Sequence, residues 1–293
     1  MNNMQDRVVI VTGATNGIGE VTARELARMG ANVAIIARSE SKAQATVAEI
    51  QAATNNPNVN YLLADLSLMA DVRRVAEEFK ARYNGLDVLV NNAGALFTER
   101  NVTREGNEMT FALNHLSYFL LTDLLLEMLK ATGTPERKAR IVNVASEVHE
   151  AGKVNFSNLQ NEKYSALGAY AASKLENVLF TYELARRLQG ENVTANVLHP
   201  GVVASGFGKN NSGLVGRMVG VVLSVMQRFA GISSEEGAKT SIYLASSPEV
   251  EGVTGKYFDK SQEKSSSAAS KDQQTAARLW EISEQLTREA VRA

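Results

Sequence analysis

Tyr170 and Lys174 lie four residues apart in Ala169-Tyr170-Ala171-Ala172-Ser173-Lys174. In a helix that interval puts both side chains on one face. A free phenol, with a pKa of about 10, is a poor acid or base near pH 7. An ammonium beside it favours the phenolate and lowers that pKa, which would let the tyrosine give or take a hydroxyl proton. Taken alone, such a pair is more often a solvated surface contact, so its companions decide. Ser146 closes the run Arg140-Ile141-Val142-Asn143-Val144-Ala145-Ser146. Its hydroxyl suits a hydrogen bond to a substrate oxygen near Tyr170, or equally a turn at the strand end. Asn114 sits in the helical run Phe111-Ala112-Leu113-Asn114-His115. A mid-helix asparagine competes with the backbone and bends the helix, and its carbonyl suits a water linking Lys174 to solvent.

A second set of residues suits a dinucleotide. The apolar run Arg7–Thr12 leads into Thr12-Gly13-Ala14-Thr15-Asn16-Gly17-Ile18-Gly19 and then into a helical pattern. Glycines let the backbone turn sharply and approach a phosphate, and the helix N-terminus supplies free N–H groups and positive dipole. The strand–turn–helix setting raises an otherwise weak motif. Gly13, Asn16, Gly17, Ile18 and Gly19 are therefore cofactor candidates. The second strand ends at Ala37-Arg38-Ser39. Sites for NAD usually place an acid there for the ribose 2′-hydroxyl. Here the position is Ala37, and the Arg38 guanidinium can pair with the 2′-phosphate of NADP(H). Asp65 and Leu66 follow the third strand, with Asp65 placed to bond the adenine or to cap the next helix. Asn91-Asn92-Ala93-Gly94 follows the fourth, with Asn91 placed to brace the strands or to reach the ribose. An oxidised nicotinamide would join Lys174 in favouring a Tyr170 phenolate.

Both sets must be held by regular elements. Short β-rich runs at Arg7–Thr12, Asn32–Ala37, Val59–Leu63, Leu86–Asn91, Ala139–Ser146 and Val193–His199, with a seventh near Thr254–Phe258, alternate with stretches of three- and four-residue apolar spacing. Those stretches are Ile18–Met29, Lys42–Thr54, Ala70–Tyr83, Leu116–Ala131 and Ala166–Leu188. The pattern predicts an α/β fold, a Rossmann-type doubly wound parallel sheet of about seven strands with helices on both faces. Nearly continuous apolar runs such as Val8-Val9-Ile10-Val11 suit strands buried on both sides. With four prolines and no long linker, residues 1–293 read as a single domain. Lys260–Lys271, rich in serine, is the most linker-like stretch of a C-terminal extension over 260–293. Asp272–Val291 follows it as a surface helix docked by Trp280.

The composition narrows the chemistry. A formal net charge of -1 offers no electrostatic case for nucleic acid. With no cysteine there is no disulfide, thiolate-bound metal or cysteine nucleophile. His115, His149 and His199 are isolated and show no metal-ligand spacing, and His149 reads as a loop histidine. No secretory pattern or clean apolar run of about 20 residues is apparent. Gly213 to Ile232 comes nearest, so a cytoplasmic protein without a transmembrane segment is expected.

The combination resembles the short-chain dehydrogenase/reductase family, in its single-domain branch, over about Arg7 to Phe258. The glycine turn, Asn-Asn-Ala-Gly and the Asn114, Ser146, Tyr170, Lys174 tetrad carry the resemblance. Ala37-Arg38, Asn114-His115-Leu116, His199-Pro200-Gly201 and Ser247-Pro248-Glu249-Val250-Glu251-Gly252 are similar to the retinol dehydrogenase-like group. The resemblance implies an NADP(H)-dependent oxidoreductase acting on a carbonyl or alcohol, with Asn92, Ala93, Gly94, Pro200, Gly201, Val203 and Ser205 at the cofactor. Val202 and Ser205 would face the carboxamide, and Ser205 stands where the family often has Thr. The resemblance also implies a substrate lid over about 205–232, whose Val, Leu, Met and Gly content suits an apolar cover. A core helix, an oligomer contact or a membrane-surface helix would fit that segment as well. Phe156, Leu159 and Tyr164, in the long interval after Ser146, are expected to line the cleft. The partner is then a small apolar substrate, with room for a homo-oligomer. The alternatives are an NADP(H)-sensing protein without turnover and an epimerase-like enzyme acting on nucleotide sugars.

Overall fold

The structure is a computed structural model in which residues 3–201 and 232–289 are described. Eight strands form one sheet: β1 Val8–Thr12, β2 Asn32–Ala37, β3 Val59–Leu63, β4 Val88–Asn91, β5 Ala139–Val144, β6 Val193–Leu198, β7 Tyr257–Asp259 and β8 Gln262–Lys264. Their order is β3-β2-β1-β4-β5-β6-β7-β8, with every pairing parallel except the last. The chain winds outward from β1 in both directions. The order therefore reverses between β1 and β4, and a crevice opens beyond their carboxyl ends.

Alternation along the strands supplies both faces. Ile10, Leu89 and Ile141 pack on one side. Val9, Val11, Val88, Val90 and Val142 pack on the other. The first side is covered by α3 Met69–Arg82, the helix α4 Met109–Thr132 and α5 Ala166–Arg187. The second is covered by α1 Gly17–Arg28, α2 Glu40–Thr54 and α6 Ser234–Ser246. α7, Gln273–Glu289, lies outside α5 and α4. Trp280 stacks on Phe180 at 5.7 Å, meets Phe119 edge-on at 4.9 Å and carries the Arg187 guanidinium at 4.4 Å. α4 is long and apolar enough to cross a membrane by composition, yet 72% of its apolar window is buried in this core.

Two sequence expectations change here. The sheet has eight strands, and the linker-like stretch after Phe258 is largely structured. Lys260 and Ser261, at φ 49° and 61°, make a two-residue turn that folds β8 back on β7. A short helical turn, Ala269–Lys271, follows. β8 escapes a reading by alternation because Gln262, Glu263 and Lys264 are all exposed edge residues.

Candidate active site

The glycine turn lies at the sheet's reversal point, and its spacing is imposed by neighbouring backbone. Gly13 has φ +65°, and a Cβ there would stand 2.8 Å from the Ala93 Cα. At Gly19 a Cβ would collide with the Asn92 side-chain amide nitrogen and stand 2.6 Å from the Gly13 carbonyl oxygen. Only glycine allows this approach of α1 to the two strand ends. Thr12 ties those ends together, its hydroxyl accepting the N–H groups of Asn92 and Ala93 at 2.8 and 2.9 Å. The Asn92 side chain returns a bond to the Thr12 carbonyl at 2.8 Å.

From this turn a cavity of about 450 Å³ runs along the strand ends. Gly13, Asn16, Gly17, Ile18, Gly19, Arg38, Asp65, Leu66, Asn92, Ala93, Gly94, Pro200 and Gly201 all line it, as do Ser146, Tyr170 and Lys174. Arg38 is exposed at one end of the cavity beside buried Ala37, with no carboxylate at the strand end. Asp65 does not cap α3, which begins four residues later. Its carboxylate instead accepts the Ser67 N–H and hydroxyl, a turn that holds Asp65 at the cavity wall. Asn91 is fully buried and braces the strands, donating to Asn143 at 2.9 Å and to Thr122 at 3.0 Å. Val202, Val203 and Ser205, with the expected lid up to Gly231, lie outside the described residues.

At the other end of the cavity the tetrad assembles from three elements. Ser146 follows β5 in extended conformation and caps the short helical turn Glu147–Ala151. Tyr170 and Lys174 share a face of α5, whose N-cap, Ser165, accepts the Gly168 N–H. The Tyr170 hydroxyl is hydrogen-bonded to the Ser146 side chain. Lys174 donates to the Val144 carbonyl at 3.0 Å, and its nitrogen stands 5.7 Å from the Tyr170 ring centre. Asn114 occupies a π-helical turn, Ala112–Leu116, within α4. Turns of this kind recur at functional sites. Its amide donates to the Ala95 carbonyl and the Ser173 hydroxyl, both at 3.0 Å, and its oxygen accepts the Ala95 N–H at 2.9 Å. That side-chain oxygen accepts one bond here and keeps a second lone pair.

The electrostatics depart from the expected acidic phenol. Burial pushes Tyr170 above the ordinary range, and the Ser146 bond only partly offsets it. Burial also brings Lys174 down to about 7. The ammonium is itself destabilised by desolvation, so the protein's own groups leave the phenol protonated.

The short chain dehydrogenase family model matches residues 7–213. The chain belongs to the short-chain dehydrogenase family. It is 42% identical over 288 residues to human (Homo sapiens) polyprenol dehydrogenase, covering 96% of this chain and 85% of that protein. It is also 42% identical over 281 residues to Mus musculus retinol dehydrogenase 12, covering 94% and 85%. Among solved structures, an uncharacterized protein from Mycobacterium Paratuberculosis superposes with a TM-score of 0.78 at 32% identity, covering 98% and 96% of the two chains. The Pseudomonas aeruginosa RhlG/NADP active-site complex gives 0.70 at 26% identity, covering 87% and 95%. The chain thus falls in the retinol dehydrogenase-like group, as a dehydrogenase acting on CH–OH donors.

The substrate side of this dehydrogenase differs from the sequence expectation. Phe156 packs beneath the Arg278 guanidinium at 4.3 Å, and Leu159 lies against the core. The Tyr164 hydroxyl donates to the Phe97 carbonyl at 2.8 Å. None of the three lines the cavity. Its apolar wall comes instead from Leu96, Phe97, Met109, Leu113, Val148 and Leu167. Met109 and Leu113, four apart on α4, carried a detectable signal: they precede Asn114 on the same helix. Leu167 and Val148, 70% and 42% exposed, form an apolar rim. His149, read as a loop histidine, is fully buried behind Ser146.

Proposed function

We propose that this chain is an NADP(H)-dependent reductase of apolar carbonyl compounds, acting in reverse as an alcohol dehydrogenase. The observation that carries the proposal is the Tyr170–Ser146 hydroxyl pair, set above Lys174 where the glycine-lined crevice meets an apolar wall. The crevice suits a dinucleotide, since Gly13 and Gly19 let α1 pack close against the strand ends and the same turn lines the cavity. Asn16 to Gly19 open α1 toward a pyrophosphate. Arg38, with no acid beside it, supports NADP(H) over NAD(H). A bound nicotinamide would supply or accept the hydride.

The chain's own residues handle the proton. Ser146 holds the substrate oxygen, and Tyr170, whose phenol stays protonated at neutral pH, donates to that oxygen as charge develops on it. Lys174 stabilises the phenolate left behind and is fixed by the Val144 carbonyl. Asn114 holds the Ala95 segment and Ser173 around that lysine. The relatives named for retinol and polyprenol dehydrogenation support a long apolar alcohol or aldehyde as substrate, in keeping with the Phe97, Met109, Leu113 and Leu167 wall.

The test is NADPH oxidation by the purified protein against aliphatic, aromatic and isoprenoid aldehydes, beside Tyr170→Phe. Loss of the general acid should lower kcat by roughly 10²- to 10⁴-fold with NADPH affinity kept. No turnover of any carbonyl despite tight NADPH binding, or a Tyr170→Phe protein that stays active, would refute the proposal.

A further inference from the structure

His149 is one of three histidines in the chain and has no exposed surface. Its Nδ1 lies 2.8 Å from the Ser146 carbonyl oxygen, which also receives the His149 backbone N–H at 3.1 Å. Its Nε2 faces the backbone N–H of Ser267 at 3.3 Å. A carbonyl can only accept and a backbone N–H can only donate. The two contacts therefore agree on one tautomer: Nδ1 carries the hydrogen and Nε2 carries the lone pair.

The neighbours leave that assignment undisturbed. The Tyr257 hydroxyl stands 3.5 Å from the His149 Nδ1 and 2.6 Å from the Nδ1 of His199. The His199 Nε2 lies 3.2 Å from the Asp259 carboxylate, so it bears the hydrogen and leaves the His199 Nδ1 as an acceptor. Tyr257 must then donate to His199, and it offers His149 only an oxygen. Asp259, His199 and Tyr257 thus form one directed hydrogen-bond chain. It ends against the His149 ring, whose centre is 4.9 Å from that of Tyr257. Burial keeps both imidazoles below their ordinary pKa, uncharged at neutral pH.

We propose that His149 is a positioning residue for the carbonyl chemistry: its Nδ1–H grips the Ser146 carbonyl and its Nε2 moors that turn to the C-terminal segment at Ser267. His199 directly precedes Pro200 and Gly201, so the same hydrogen-bonded group anchors both backbone turns flanking the reactive end of the cavity. Ser146 must present its hydroxyl to Tyr170 and to a substrate oxygen at once. Displacing a reacting group by about 1 Å costs on the order of 10²-fold in rate. The inference rests on the reductase reading, because Ser146 is assigned its role there.

Two measurements decide it. Two-bond 15N–1H correlation spectra of the wild-type imidazoles, assigned with His149→Asn, should show His149 as the neutral Nδ1–H tautomer at pH 7.5. An Nε2–H tautomer or an imidazolium would overturn the proposal, whatever the protein's activity. The second is a double-mutant cycle. His149→Leu should lower kcat by about 10- to 100-fold with NADPH affinity unchanged. His149→Asn, whose amide places a donor near the Nδ1 position, should recover most of that loss, and His149→Gln should not. In a Ser146→Ala background His149→Leu should cost nothing further, because the two act as a unit. Equal losses in both backgrounds would reduce His149 to a structural core residue. An inert wild type would instead defeat the reductase reading, and the imidazole spectrum would still decide how Ser146 is held.

Discussion

Lys174 and Tyr170 share one desolvated environment, and burial moves them in opposite directions. The phenol is pushed up and the ammonium is brought down to about 7. The titration that governs reduction should therefore belong to the lysine. Its charged form stabilises a developing phenolate, so kcat/KM for carbonyl reduction should fall as pH rises through about 7, well below the ordinary phenol range. A pH–rate profile flat from 6 to 9 would show that the lysine charge does not enter the rate. Arg38 works at the far end of the crevice. Arg38→Asp replaces a donor fork with a carboxylate, and loss of a charge-assisted contact worth about 1.5–3 kcal/mol should weaken NADPH binding by roughly 10- to 100-fold. NADH binding should hold or improve. Equal weakening of both cofactors by titration would assign the 2′-phosphate to another residue.

The elements differ in how openly the sequence declares them. The glycine turn and the Tyr170–Lys174 interval are local patterns, and the first seven strands announce themselves by apolar runs. The π turn at Asn114 does not, because it exists to satisfy Ala95, nineteen residues earlier in the chain. His149 and the Phe97 wall are equally silent, being defined by contacts with Ser267 and Tyr164. The β7–β8 hairpin was hidden by its polarity, yet its turn has a clear physical requirement. Lys260 and Ser261 both hold left-handed φ, which ordinary side chains adopt at a cost. Asn-Gly is the pair this turn prefers. Replacing Lys260-Ser261 by Asn-Gly should stabilise the protein by about 0.5–1 kcal/mol, since the Ser261 N–H that bonds Thr240 is kept. A lower urea midpoint in the double variant would count against the turn geometry.

Across the whole molecule, two buried ionisable groups on α5 pull stability in opposite directions with pH. Glu176 lies two residues beyond Lys174, and one of its carboxyl oxygens has no hydrogen-bond partner. Burial, with a smaller contribution from Glu108, raises its pKa from 4.5 to about 8. Between those values the folded chain binds a proton that the unfolded chain does not, so stability falls as pH rises. The fall is at most about 1.4 kcal/mol per pH unit and is complete above 8. Lys174 does the reverse. From about 7 to 10.5 the unfolded chain holds the extra proton, and stability rises with pH. The glutamate limb falls from pH 5 to 8 and the lysine limb rises from about 7, while the buried histidines, whose pKa values are lowered, add a rise below about 6.5 that wild type and variant share. Glu176→Gln removes the first limb and keeps the second. Its advantage over wild type should be small at pH 5 and grow steadily to pH 8. Urea midpoints at pH 5, 6.5 and 8 would measure it, and an offset between the two proteins that did not change with pH would mean that Glu176 titrates alike in both states. The lysine belongs to the catalytic face of α5, and the glutamate lines a separate small cavity with Phe111, Lys153, Asn155, Asn158 and Asn161. One helix thus carries a functional desolvation and an uncompensated one, and only the second can be removed without touching the reaction.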